Sequence, residues 1–82
     1  MIVIPINEPG KHRTGKLDRN YTDVEIAERL GFLPNVQDDP DKVKHSWGFL
    51  ADGYQCGIWD YEGTRWSTYG PREVFDYLFP DK

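Results

Sequence analysis

Few residues of this chain could do chemistry. They are His12, His45, Cys56 and two side chains that a β register would bring beside His45, namely Asp60 and Arg65. A carboxylate next to an imidazole fixes its tautomer, the first requirement of a histidine base. Here Arg65 would compete for the same carboxylate, and no hydroxyl nucleophile falls on the far side of the ring. The row therefore reads as a cross-strand ion pair. Cys56 sits mid-strand between aromatic neighbours, where a thiol behaves as a small hydrophobe. Two histidines and one cysteine match no zinc spacing, and neither a glycine-rich phosphate loop nor a helix-borne histidine pair is present. The expectation is a non-enzymatic protein with no cofactor and no metal.

Positioning such groups requires elements, and the chain marks several. Ile2 to Ile6 read as a short strand that Pro5 confines to a sheet edge. Residues 7–20 form a long basic loop without apolar periodicity. Thr22-Asp-Val-Glu25 is a capping box that opens a helix over about 22–31, with Tyr21 and Ile26 placed as a hydrophobic staple. Val24, Ile26, Ala27 and Leu30 make its apolar side, and Gly31 its left-handed cap. An acidic loop follows over 34–42. From there the period changes to two: about 44–51, 54–61 and 64–69 read as strands joined by Asp52-Gly53 and Glu62-Gly63. A last helix spans about 71–79. The expected fold is a single α+β domain over residues 1–82, built on a three-stranded antiparallel meander.

Counting outward from two-residue turns sorts the side chains into two faces. Trp47, Phe49, Cys56, Ile58 and Tyr69 fall on the side that the helices should cover. Leu50, Trp59, Tyr61 and Trp66 fall on the other, with Gly48 opposite Gly57 and Trp59 opposite Trp66. Two explanations stay open for that paired-indole face. It is either a stabilising cross-strand pair beneath the loops, or an apolar platform for a partner, another copy of the chain, or a planar ligand.

Composition narrows the partner. The 82 residues carry a net charge of −4 and a single cysteine, so no internal disulfide forms. Residues 1–20 are net basic and the remainder net acidic, the reverse of a polyanion binder. No apolar run reaches the ~20 residues of a membrane span and no leader is recognisable, so the chain reads as cytosolic. The stretch Glu25-Ile-Ala-Glu-Arg-Leu-Gly31 resembles the opening helix of helix-turn-helix DNA readers. Pro34 and Gln37-Asp-Asp-Pro-Asp41 stand where a basic recognition helix should follow, which argues against sequence-specific DNA binding.

The segment from Cys56-Gly-Ile-Trp-Asp-Tyr-Glu-Gly63 through Arg65-Trp-Ser and Tyr69-Gly-Pro-Arg-Glu-Val-Phe to Leu78-Phe79 resembles small uncharacterised proteins of phage type. That resemblance implies a short acidic product that binds and blocks a host enzyme, polymerase or defence complex in the host cytoplasm. The expected docking residues are Trp59, Trp66, Tyr61 and Leu50 on the sheet, and Asp38, Asp39 and Asp41 in the acidic loop. An alternative is a sponge for a nucleotide-like signal, with Arg13, Lys16, Arg65 and Trp66 as its ligand set. A further alternative is an acidic mimic of nucleic acid.

Overall fold

The computed structural model describes residues 1–8, 10–37, 41–61 and 66–80, and of Tyr61 the backbone only. Its elements in chain order are β1 (Val3–Pro5), β2 (Gly15–Lys16), α1 (Asp23–Leu30), β3 (Val43–Ala51), β4 (Tyr54–Tyr61), β5 (Ser67–Tyr69) and α2 (Arg72–Leu78). The fold is α+β. Its sheet is antiparallel and has five strands among the described residues, in the order β1-β3-β4-β5-β2. The expected meander forms the centre, and the N-terminal strand lies on one edge. Part of the long basic loop supplies the other edge, which corrects the expectation of three meander strands beside a structureless loop.

Local signals explain the well-formed parts. Thr22 Oγ1 accepts from the Glu25 N–H at 3.1 Å while Glu25 accepts from the Thr22 N–H at 3.2 Å, closing the capping box. Gly31, at φ 95°, ends the helix with its N–H on the Ala27 carbonyl. Asp52 and Gly53 both adopt positive φ, the conformation that a two-residue hairpin turn needs. In β1 the Ile2 and Ile6 N–H groups turn toward β3, onto Asp52 Oδ1 and the Gly48 carbonyl. By alternation Pro5 faces away from the ladder, so its missing N–H forfeits no hydrogen bond and blunts the edge.

The core lies between the sheet and both helices. Trp47, Phe49, Cys56 and Ile58 are fully buried there against Ile26 and Leu30 of α1 and against Val74, Phe75 and Phe79. Arg29 joins the two helices: its guanidinium lies 5.0 Å from the Tyr21 ring and 5.6 Å from that of Phe79, and donates to the Leu78 carbonyl.

Two departures from the expected register matter. β3 carries a bulge between Val43 and Ser46, and β4 meets β5 one residue out of the expected pairing. Gly57 faces Tyr69, Ile58 faces Thr68, and Trp59 faces Ser67. Because side chains alternate, a shift of one residue exchanges the two faces of β5. Tyr69 moves to the outer face and Trp66 moves into the core, where it is 5% exposed. The Glu62-Gly63 turn, on which the expected pairing rested, lies outside the described residues.

The outer face has a cover of its own. After Ile6 the chain leaves the β1 edge and passes over the paired glycines on its way to β2. A Cβ on Gly48 would sit 2.6 Å from the Ile6 carbonyl oxygen, nearer still to that of Glu8, and 2.9 Å from Val36 Cγ2. A Cβ on Gly57 would lie 3.2 Å from Gly10 N, and one on Gly10 would strike the Trp59 ring. Asn35 fastens the crossing, donating to the Ile6 and Gly48 carbonyls and accepting from the Gly48 N–H at 3.0 Å. The glycines are there because backbone lies directly on backbone. Gly48→Ala should therefore lower stability by about 1–3 kcal/mol, read as a lower urea midpoint at unchanged slope. A midpoint equal to that of the parent would show that the crossing segment yields.

Candidate functional site

The polar row centred on His45 forms in part. The β3 bulge sets both Lys44 and His45 against Asp60, whose Oδ1 accepts their backbone N–H groups at 3.0 and 2.7 Å. Asp60 Oδ2 lies 2.7 Å from His45 Nδ1, and Asp23 Oδ2 lies 3.6 Å from Nε2. Arg65, the expected third member, lies outside the described residues; Asp23 at the start of α1 holds the other side of the ring. Both imidazole nitrogens are thus directed at carboxylates of the chain itself. The group pins the bulge to the helix start. Among the described residues no cluster of three or more His, Cys, Asp and Glu could hold a metal ion.

Cys56 is buried and bonds weakly to the Tyr54 carbonyl. Burial pushes its thiol from 9.0 up to about 11, opposed in part by a hydrogen bond to the Ala51 backbone. A raised thiol pKa means that the folded chain keeps a proton which the unfolded chain releases above about 9. Rising pH from about 9 to about 11 therefore favours unfolding through this group.

The paired-indole platform does not form. Trp66 Nε1 donates to the Tyr21 carbonyl at 2.7 Å, and its ring meets that of Trp47 edge-on at 5.6 Å. Trp59 alone remains on the outer face, half-buried beneath Gly10. Leu50 is on that face as expected, half-exposed and opposite Ile4 of β1, itself half-exposed. The Tyr61 side chain, Asp38 and Asp39 fall outside the described residues; Asp41 is exposed in a turn before β3. Of the cationic set, Arg65 lies outside the described residues. Lys16 sits opposite Ser67, on the register row of Trp59, and Arg13 is exposed before it, while Trp66 is in the core. Lys16 lines a cleft of about 230 Å³ beside Asp18 and Arg72.

A different surface stands out. An open groove of about 430 Å³ runs along α1. Asp23, Val24, Ala27, Glu28 and Gly31 line it from the helix and its cap, and Phe32, Leu33 and Pro34 from the segment that follows. Val24 was expected in the core stripe. At about 100° per residue it stands ~140° around the helix from the midpoint of Ile26 and Leu30, and it is 60% exposed. Positions 24, 27, 28 and 31 instead make a second face with the spacing of successive helical turns. Leu33 is 76% exposed. The sequence held one signal of this face: α1 has more apolar positions than a single buried stripe uses. Comparison with known families, curated proteins and solved structures found nothing that matches this chain.

Two measurements check these placements. Trp66→Phe removes the N–H that the Tyr21 carbonyl accepts and part of the buried ring, and should cost about 1–3 kcal/mol in urea unfolding; an unchanged midpoint would return Trp66 to the surface. Cys56 should react with a disulfide reagent at pH 8 only as fast as the chain unfolds. Rapid labelling without denaturant would place the thiol outside the core.

Proposed function

We propose that this chain is a small non-enzymatic binding protein, an inhibitor or adaptor of phage type, which docks on a host protein through the groove along α1. The observation that supports this most is the pairing of Val24 and Leu33. Two large aliphatic side chains stand more than half exposed across a concave apolar surface. Exposed apolar area in a hollow gives up its hydration when a partner fills it, and such hollows are where contact energy concentrates. The groove volume is within the range of sites that hold an anchoring side chain or ligand.

This moves the docking surface from the sheet to the helix. The indole that would have anchored a sheet-borne site is occupied with Tyr21 and Trp47. The acidic loop keeps a part in the proposal, because it follows Pro34 within a few residues in the sequence. Another exposed aliphatic group among the described residues, Ile2 and Ile4 beside Leu50, lies at an edge strand and serves as the comparison.

A host protein that co-purifies in fixed stoichiometry should be prepared pure and titrated calorimetrically against the chain. Leu33→Ser should weaken binding by about 2 kcal/mol while the melting temperature stays that of the parent. Ile4→Ser should leave the affinity unchanged. The reverse pattern would place the interface on the sheet edge, and equal affinity for both variants would remove the groove from the function.

A further inference from the structure

We infer that the segment this groove accepts is a cationic amphipathic helix of another protein. This rests on reading the groove as the docking site, and it adds the conformation and the charge of the occupant. Conformation follows from the backbone. The walls come from one helix and from residues 31–34, and among the described residues no strand edge lines them. Gly31 already donates its N–H to Ala27, and the Phe32 carbonyl already accepts from Trp47 Nε1 at 2.9 Å. Beyond Pro34, the N–H groups of Asn35 and Val36 both point to the Ser46 carbonyl. An extended peptide in the groove would have no strand edge to join, and most of its own N–H and C=O groups would face the Val24 and Leu33 side chains. A helix keeps its backbone bonds internal and presents side chains alone. The eight residues of α1 extend about 12 Å, enough to pack against two turns carrying anchors at i, i+3 or i+4, and i+7.

Charge follows from the rim. Asp23 stands at one end of the groove and Glu28 along it, and among the described residues its lining includes no basic side chain. An acidic segment would be repelled there, and a nucleic acid more so. Lysine or arginine beside the apolar anchors would meet Glu28 first, and Asp23 beside its His45 contact, at exposed positions where charge sets the approach rate and the choice of partner more than the total affinity.

The experiment is selection of random 16-residue peptides displayed on phage against the intact chain, with synthesis of the enriched sequences. They should be net positive, carry aliphatic or aromatic residues at helical spacing, and gain helical circular dichroism on binding. Leu33→Ser should weaken them about tenfold, and Glu28→Lys about fivefold, with the melting temperature of each variant checked. Enriched peptides that depend on Leu33 but are neutral, acidic or extended when bound would overturn this inference and leave the docking site standing. Should no enriched peptide depend on Leu33, the docking site itself would fall, and the inference with it.

Discussion

The structure depends on a crossing of backbone over backbone. The chain leaves one sheet edge at Ile6, passes over Gly48 and Gly57 and reaches the opposite edge at Gly15. The two glycines admit it, and the Asn35 side chain binds both the crossing segment and the strand below it. Several consequences follow from this one contact. The outer face is covered in its middle by main chain, both edge strands come from the first sixteen residues, and the helices are left with the inner face. A side chain at either glycine would push the crossing segment away and uncover the sheet.

Covering one face with backbone concentrates the large side chains on the other. A domain of this size buries a smaller share of its surface than a large one, so each aromatic ring matters more. Trp47 and Trp66 meet edge-on, and each indole N–H finds a carbonyl in the segments flanking α1, Phe32 after it and Tyr21 before it. The two hydrogen bonds fix where the helix begins and ends over the sheet. His45 adds a third attachment, reaching from the β3 bulge to Asp23 in the first turn of α1. α1 is thus held on its inner side by polar contacts as well as by Ile26 and Leu30. Its outer side is consequently presented as a firm surface. The proposed docking groove lies on a helix held at three places, so little ordering would remain to be done on binding.

The polar groups of the molecule serve that architecture. Asp60 satisfies two backbone N–H groups at a bulge and an imidazole beside it, three demands met by one buried carboxylate. Bulges expose unpaired main-chain donors, and a carboxylate placed across the ladder answers them directly. In sequence the same Asp60 next to His45 resembles half of a catalytic pair. In the fold the pair also ties the β3 bulge to Asp23 at the start of α1.

Local chemistry made much of this fold legible in the sequence. The capping box and Gly31 delimit α1, Asp52-Gly53 closes the β3–β4 hairpin, and the alternation from Trp47 to Ile58 picks out the core side, since each depends on residues within a few positions of one another. Tertiary structure decided the rest. Which side of the sheet receives Trp66 and Tyr69 depends on a register difference of one residue, and period-two alternation makes that difference an exchange of faces. The pairing of Gly48 with Gly57 was visible in the sequence, but what lies on it is a segment some forty residues earlier, joined by contacts that no local pattern encodes. The exposed face of α1 became a groove only when Phe32 turned inward and Leu33 outward beside it. Short-range preferences are set by the residues themselves; faces, coverings and hollows are set by what the folded chain brings to lie against them.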